Sequence, residues 1–326
     1  MIGQTVGTLA KYPTRFLYRY YSARPGIGNT MRVAKFYNRL RYAQRHRLHR
    51  DGFENRLDEL LAGNGWADPR REPIVMNDGW AIDESNSLPH LAELLEDADK
   101  VIAERGGQNR VGTRAAQQPF LFNLSLPGDW DKFPSFLNFI TSSELLSTVS
   151  RYMGTIPVLS KTLPPGQRFA ESSSKFDEHA GGSYRESQLY HLDFHDSPMV
   201  YVIVLLKDTT PASGPWCFLS KSVSDQAVER LDYRARSEPY RVVDERMYQH
   251  VDKEQMIEFV YPRGTVLFID SSQCFHYGSR DAAVTRYQMM YALTTPCRCD
   301  FTQTFMPIRT YPVNESDPEL RRMVTQ

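Results

Sequence analysis

Apolar residues change their spacing along this chain, from a helical period in the first half to short strand-like runs in the second. Residues 30–50, 57–62 and 88–105 carry apolar side chains at intervals of three or four, which predicts amphipathic helices. From about residue 156 to 309, short apolar runs take over, and the run 199–206 predicts a fully buried strand. Helices followed by many strands indicate an α+β chain whose carboxyl-terminal half is a double-sheet jelly roll.

Two histidines and one aspartate stand at spacings that favour a shared metal ion. His191 and Asp193 are two residues apart, so in an extended strand both side chains point to the same face. A second segment begins with a turn at Gly264, continues as an apolar strand and reaches His276 at the far end of that strand. Two histidines and a carboxylate form the ligand set of non-haem Fe(II) oxygenases, which leaves coordination positions open. We therefore interpret the protein as an oxygenase.

An arginine follows the last of these histidines on a predicted returning strand. The turn between the two strands would bring Arg286 back beside His276, where a buried guanidinium could hold a carboxylate with two parallel hydrogen bonds. Gln288 is in phase with Arg286, whereas Gln188 is out of phase with His191 and needs a bulge to face the metal. For both glutamines we weigh hydrogen bonding around the bound co-substrate against a solvated strand position.

Several blocks between residues 136 and 295 resemble the phytanoyl-CoA dioxygenase family of Fe(II)/2-oxoglutarate-dependent oxygenases. The blocks stand in the family's order: 143–154 (helix before the first core strand), 188–193 (Gln-Leu-Tyr-His-Leu-Asp), 213–216 (Ser-Gly-Pro-Trp) and 264–278 (final ligand segment). The resemblance implies a cupin-like double-stranded β-helix that binds Fe(II) through His191, Asp193 and His276. It also implies that Arg286 holds the distal carboxylate of 2-oxoglutarate.

The resemblance implies an activity as well. It is hydroxylation of a small organic molecule by O2, coupled to oxidative decarboxylation of 2-oxoglutarate to succinate and CO2. Tyr190 stands where the family has Trp, and residues 220–223 (Ser-Lys-Ser-Val) replace Pro-Gly-Ser-His, which implies a rebuilt wall on the substrate side. Asp193 is retained, which disfavours the halogenating relatives. The family acts on many kinds of small molecule, so the resemblance does not select a primary substrate.

Composition fits a globular protein without a membrane span. With 326 residues, 41% hydrophobic and 24% charged, the chain can bury a sizeable core. We expect residues 51–326 to form a single oxygenase domain, with a helical first part (51–154) and a jelly-roll core (155–310). The longest apolar run has eight residues, too few for a transmembrane helix. The four cysteines have the spacing of neither a disulfide framework nor a zinc site, which predicts reduced thiols and a cytoplasmic location.

Residues 1–50 form a basic, helical amino-terminal extension with 11 Lys or Arg and no acidic residue. The other 276 residues carry 28 basic and 39 acidic side chains, a net charge of −11, so the two parts attract each other. Three interpretations compete: packing on the acidic body or on a second subunit, contact with an anionic membrane surface, and an Arg-rich organelle import signal. We favour the first, because interleaved arginine and aromatic residues suit protein interfaces. No nucleic-acid partner is expected.

Two further segments and one histidine are candidates for shaping specificity. Residues 171–183 are rich in small residues, which suits a mobile lid or a surface loop without function. Residues 222–262 carry many charges, which predicts exposed helices. His195 shares the predicted strand face of Asp193, so it either lines the active site or has a structural role.

The charged segment 222–262 contains basic residues that could meet an anionic substrate. These are Arg234, Arg236, Arg241 and Lys253. We favour solvated ion pairs for them instead, with Glu238, Asp244 and Glu245 as the acidic partners.

The main alternative to an active enzyme is a jelly-roll binding or scaffold protein. Such a protein would keep the three ligands without turnover and act through the basic segment 1–50. Oxygen-dependent turnover of 2-oxoglutarate discriminates the two hypotheses.

Overall fold

The computed structural model describes residues 26–66, 73–108, 118–175, 177, 180–233 and 240–326. Its α-helices are α1 (Gly26–Arg41), α2 (Ala43–Gly63), α3 (Leu91–Arg105), α4 (Asp129–Lys132), α5 (Ser135–Ile140), α6 (Ser143–Met153), α7 (Lys221–Arg230), α8 (Asp244–Met247), α9 (Thr302–Phe305) and α10 (Glu319–Thr325). Its strands are β1 (Trp80–Asp83), β2 (Leu121–Asn123), β3 (Val158–Leu159), β4 (Gln167–Ser172), β5 (Met199–Leu205), β6 (Cys217–Phe218), β7 (Ile257–Glu258), β8 (Val266–Asp270), β9 (His276–Tyr277) and β10 (Arg286–Thr294). Short 3-10 helices cover Glu186–Gln188, Pro211–Ser213 and Lys253–Gln255.

Two antiparallel sheets pack face to face in the carboxyl-terminal half. The larger sheet has the strand order β1-β8-β5-β10-β4-β2, and β3 pairs with the end of β10. The smaller sheet has the order β7-β6-β9, and single bridges from Tyr190 to Val242 and from His191 to His276 widen it. Between β4 and β10 the chain passes repeatedly from one sheet to the other, which is the arrangement of a jelly roll. The predicted α+β class is confirmed.

The larger sheet separates two apolar cores, because successive side chains of a strand point to opposite faces. On β10, Met289, Tyr291 and Leu293 pack outward against residues of the helices, whereas Met290 and Ala292 face the smaller sheet. Full burial of each large apolar side chain contributes about 1.5–3 kcal/mol. The outer core thus fixes the larger sheet against the helices, and the inner core packs it against the smaller sheet.

The amino-terminal helices break at a different point from the predicted one. Helix α2 is continuous over residues 43–63, so the prediction of a separate helix at 57–62 is wrong, and the interruption lies at Tyr42. Gly52 lies inside α2, where an added Cβ would stand 3.2 Å from Met323 of α10. The missing side chain lets the two helices approach closely, and this packing outweighs the weak helix propensity of glycine.

Helix α1 is tied to the body of the protein by polar contacts. Lys35 Nζ lies 2.8 Å from the buried Asp196 carboxylate, and Asn38 Nδ2 donates to the carbonyl oxygens of Arg298 and Asp300. These contacts support packing of the described part of residues 1–50 on the acidic body. Residues 1–25 lie outside the described residues. The interpretations involving a second subunit, a membrane surface or import, and the domain boundary at residue 50, stay predictions.

Two smaller expectations concern membrane helices and thiols. Within the described ranges, none of the helices has the length and apolarity needed to cross a membrane. Cys217, Cys274, Cys297 and Cys299 are all buried and unbridged, as the spacing predicts.

His49 on α2 gives the docking of this helix a pH dependence. The imidazole is buried, its Nδ1 lies 2.9 Å from the Ile156 carbonyl oxygen, and burial lowers its pKa to about 4. The unfolded chain therefore takes up a proton near pH 6.5, and the folded protein takes it up only near pH 4. Stability is consequently lost as the pH falls through this window, by up to about 3 kcal/mol from this one group.

Between pH 6.5 and 4, we expect the unfolding free energy of His49→Gln to fall less steeply than that of wild type, as measured by urea denaturation. The matched control is His90→Gln, a substitution at an exposed histidine. An equally steep pH dependence in His49→Gln and wild type would contradict the assignment.

Candidate metal centre

Two of the three predicted ligands are direct neighbours on adjoining strands. The N–H of His191 donates to the carbonyl of His276, and the N–H of His276 donates back to the carbonyl of His191, both over 3.1 Å. Opposed residues of an antiparallel pair project their side chains from the same face. The two imidazole centroids accordingly lie 4.3 Å apart. Backbone pairing alone therefore brings these two side chains together.

The strands that carry the ligands differ from the predicted ones. The apolar strand after Gly264 is β8 of the larger sheet; a turn then carries the chain across to the smaller sheet, where His276 begins β9. The prediction that His276 ends the strand begun at Gly264 is wrong, because the chain changes sheets between them. Asp193 lies two residues beyond the bridge at His191, and its N–H donates to the carbonyl of Ser271 over 2.9 Å. A hydrogen-bonded loop, rather than a continuous strand, positions this carboxylate.

Asp193 completes a cluster of three ligand atoms. Its Oδ2 lies 3.7 Å from His276 Nε2, and one ligand atom from each of His191, Asp193 and His276 lies within 4.8 Å of the others. Both histidines are buried, and Asp193 is half-buried. Two imidazole nitrogens and one carboxylate oxygen at this separation can hold a divalent metal ion and leave other coordination positions open.

The histidines also have the protonation state that a metal ligand needs. His191 Nδ1 lies 2.8 Å from the Leu189 carbonyl oxygen, and His276 Nδ1 lies 3.0 Å from that of Cys274. A carbonyl accepts only, so each Nδ1 carries the proton and each Nε2 keeps its lone pair. Burial lowers the pKa of both imidazoles below the ordinary value, well below it for His191. Both rings are therefore neutral at pH 7.

Aromatic rings fix the orientation of the imidazoles. The Trp216 ring stacks on His276 with centroids 4.8 Å apart and planes only 5° from parallel. Tyr240 meets His191 edge-on at 5.9 Å. Neither aromatic residue has a sequence signal that indicates this position, because both reach the cluster only through contacts between distant segments. Such contacts limit ring rotation and keep each Nε2 directed at the same point.

Arg286 is buried beside this cluster with most of its hydrogen-bond donors unpaired. Its Nη2 lies 3.2 Å from Ser279 Oγ, whereas Nε and Nη1 are buried with no hydrogen-bond partner among the described residues. Burial lowers its pKa to about 10, so the group stays cationic at pH 7. An uncompensated buried charge is costly, and a guanidinium fits a carboxylate through two parallel hydrogen bonds. The arrangement is therefore that of an anion site.

The two glutamines are both buried, but they occupy different settings. Gln188 Nε2 donates to the Ser279 carbonyl over 2.8 Å, and its Oε1 accepts the N–H of Arg185. Gln188 lies in a 3-10 helix rather than a strand and holds the loop that contacts Arg286, so no bulge turns it towards the metal cluster. Gln288 Nε2 is directed at Met290 Sδ, and its Oε1 is buried with no partner in the described part of the chain.

His195 has a structural partner. Its Nδ1 lies 2.8 Å from Asp300 Oδ2, and its ring stacks on Phe194 with centroids 4.7 Å apart. The structure favours the structural alternative for this residue, because the ring is held by a carboxylate outside the metal cluster.

The segment 222–262 is less exposed than predicted. It contributes Leu231, Val242, Met247 and other residues to an apolar cluster against the outer face of the smaller sheet. The predicted ion pairing within the segment is wrong for Asp244, which forms a bidentate pair with Arg280 at 2.8 Å. Residues 234–239 lie outside the described residues, including Arg234, Arg236 and Glu238. The predicted lid 171–183 begins inside β4, and residues 176, 178 and 179 also lie outside the described part.

Comparison with known proteins finds matches among solved structures. No family model and no curated protein matches the chain. Among solved structures, EctD from S. alaskensis with 2-oxoglutarate and 5-hydroxyectoine shares 15% identity over 67% of this chain and 72% of that chain, with a TM-score of 0.42. HygX from Streptomyces hygroscopicus, with nickel and 2-oxoglutarate bound, shares 13% identity over 66% and 82%, with a TM-score of 0.38.

A third similar structure is the epimerase SnoN in complex with Fe3+, alpha ketoglutarate and nogalamycin RO. It shares 11% identity over 73% of this chain and 83% of that chain, with a TM-score of 0.42. Likeness at this level shows the fold alone.

We expect His191→Ala and Asp193→Ala each to weaken Co(II) or Fe(II) binding by more than about 100-fold, because two ligands do not hold the ion as three do. The measurement is anaerobic titration followed by visible absorption of the Co(II) complex. The matched control is His195→Gln, which removes a neighbouring imidazole that Asp300 already holds. Unchanged metal affinity in His191→Ala and Asp193→Ala would contradict the assignment.

Proposed function

We propose that the protein is an Fe(II)/2-oxoglutarate-dependent oxygenase that hydroxylates a small organic molecule. The observation that carries this proposal is the convergence of His191, Asp193 and His276 beside a buried arginine with two unpartnered nitrogens. A metal cluster alone fits many activities. A metal cluster together with a buried arginine that keeps unpartnered donors fits a co-substrate that is bound at both ends.

The residues of the centre fit the proposed metal. His191 and His276 would supply neutral Nε2 atoms, and Asp193 would supply the anionic oxygen that offsets part of the metal charge. The carbonyl partners of both Nδ1 atoms and the ring of Trp216 hold the imidazoles in the required orientation.

The residues also fit the proposed co-substrate. 2-Oxoglutarate is a dianion, and Arg286 keeps unpartnered N–H donors on Nε and Nη1, one of which can act with the second N–H of Nη2 as the parallel pair that holds the distal carboxylate. Gln188 would act indirectly, since it holds Ser279, whose hydroxyl accepts from Arg286. Gln288 lies two residues farther along the same face of β10, and its unpartnered Oε1 would accept from a co-substrate-bound water.

When bound, iron, 2-oxoglutarate and O2 supply the oxidising chemistry, with succinate and CO2 as co-products and one oxygen atom delivered to the substrate. The protein contributes fixed ligand positions, an anchored co-substrate and an enclosed space between two sheets. The order of the sequence blocks places the chain, within this proposal, near the phytanoyl-CoA dioxygenase family.

We expect wild-type protein with Fe(II) and 2-oxoglutarate to develop a weak visible charge-transfer band without O2, and to form succinate when O2 is admitted. Arg286→Met should weaken 2-oxoglutarate binding by about 10–100-fold and still bind the metal, because it removes a charge-assisted bidentate contact worth about 1.5–3 kcal/mol. Arg286→Lys should recover only part of the affinity, since an ammonium does not present two parallel donors.

His191→Ala should lose both the band and succinate formation, while His195→Gln should keep both. A wild-type protein that binds Fe(II) but shows no band and forms no succinate would exclude the oxygenase and leave the scaffold hypothesis.

A further inference from the structure

Three arginines in the interior of the described residues are each paired with a carboxylate. Arg105 forms a bidentate pair with Asp129 at 2.8 and 2.9 Å. Arg280 does the same with Asp244, and Arg298 with Asp300. This compensation is expected, because a guanidinium does not lose its proton and an unpaired charge inside a protein is costly. An interior arginine without such a partner therefore indicates a missing anion.

Arg168 is such an arginine. It lies on β4 opposite Met290 of β10, whose side chain belongs to the inner core. Ala170, two residues later on the same face of β4, belongs to that core as well. Arg168 therefore projects into the space between the two sheets. It keeps some accessible surface there, and no side chain among the described residues bonds to it or forms an ion pair with it. Burial lowers its pKa, which reflects this lack of compensation.

Arg241 is the second arginine directed at the same space. The bridge between Tyr190 and Val242 sets Arg241 beside His191 on the inner face of the smaller sheet. Its Nη1 is buried with no hydrogen-bond partner among the described residues, and its nearest carboxylate, Glu186, is 3.9 Å away. The guanidinium thus has one long ion pair and a contact with the Tyr240 ring 4.6 Å from Cζ, and its Nη1 donors stay available to an anion.

Both arginines lie close to the metal centre through intervening tyrosines. Arg241 Cζ lies 4.6 Å from the centre of the Tyr240 ring, and that ring meets His191 edge-on at 5.9 Å. On the larger sheet, Tyr201 belongs to the same inner face as Arg168, and its ring lies 5.9 Å from Trp216, which stacks on His276. Arg168 and Arg241 thus face the metal cluster from the two sheets, each on the side of one tyrosine.

Arg168 is too far from Arg286 to share its ligand group. Arg286 pairs with Ser172 across the ladder, and Arg168 is four residues back along the same strand. At about 3.3 Å per residue this is roughly 13 Å, more than the length of one carboxylate. The charges of the centre also leave room for a second anion. Fe(II) and the 2-oxoglutarate dianion cancel each other, so Asp193 and three arginines leave a net charge of about +2.

We propose that Arg168 and Arg241 bind an acidic group of the primary substrate, a carboxylate or a phosphate, and so select anionic substrates for the metal centre. The inference rests on the proposed function for its substrate, but the anion site itself exists with or without turnover. Tyr201, Tyr240 and Trp216 would line the apolar part of the same substrate.

The test is calorimetric titration of the protein loaded anaerobically with Fe(II) and 2-oxoglutarate. The probes are sulfate, as a stand-in for phosphate, and benzoate, with neutral benzamide as the uncharged counterpart of benzoate. Wild type should bind at least one of the two anions and bind benzamide at least about tenfold more weakly than benzoate. Arg168→Met and Arg241→Met should each weaken the bound anion by about tenfold or more. The matched control, Arg47→Met, removes an exposed arginine of α2 and should change nothing.

Melting of the metal-free protein separates binding from a structural role. Arg168→Met should raise the Tm by about 2–4 °C, because it removes an uncompensated interior charge, whereas loss of a structural residue would lower it. No anion binding by wild type, or equal anion affinity in both variants and wild type, would overturn the proposal. Loss of 2-oxoglutarate affinity in Arg168→Met as large as in Arg286→Met would also overturn it. The charge-transfer band in the same samples reports on the proposed function separately, and the anion titration can be repeated without metal.

Discussion

The pair of backbone hydrogen bonds between His191 and His276 is the constraint on which the centre depends. It fixes two imidazoles on one face of the smaller sheet before any metal arrives. Each ring then donates its Nδ1–H to a carbonyl two residues back on its own segment, so both Nε2 atoms face inward. The site is thus a consequence of register. A slip by one residue would turn one imidazole into the opposite, apolar face.

The space between the sheets also carries positive charge that the described side chains neutralise only in part. Arg286 is buried with two unpartnered nitrogens, Arg168 forms no ion pair among the described residues, and Arg241 has only a 3.9 Å pair with Glu186, whereas Arg105, Arg280 and Arg298 are paired closely. A protein that keeps unpaired charges loses stability in the free state and recovers it when anions bind. In protein free of anionic ligands, the centre should therefore be one of the less stable regions. Binding of such ligands should make it more rigid.

How much of this could be predicted from sequence depended on how local each signal was. The grouping of His191, Asp193 and His276 and the burial of Arg286 follow from short-range spacing and from the order of the strands. The continuity of α2 through Gly52 could not be predicted, because it depends on close packing of this glycine against Met323 of α10.

Other features of the site depend on partners distant in sequence. Arg168 sits in a sequence window that shows nothing unusual, and only the pairing of β4 with β10 directs it inward. The Asp244–Arg280 pair joins residues 36 positions apart, so local charge patterns indicated the wrong partners.

The segment around Val242 shows how this fold can change specificity without disturbing the metal. Val242 points outward into an apolar cluster with Tyr190 and Met247, and its neighbour Arg241 points inward beside His191. Because successive residues of a strand face opposite sides, Val242 packs in the apolar cluster while Arg241 faces the candidate metal centre. Substitution of the inward residue leaves the outer cluster intact, so the charge that meets the substrate can vary while the bridges that hold the metal ligands persist. If the proposed role of Arg241 holds, the substrate preference of this centre is set by a segment that supplies none of the candidate metal ligands.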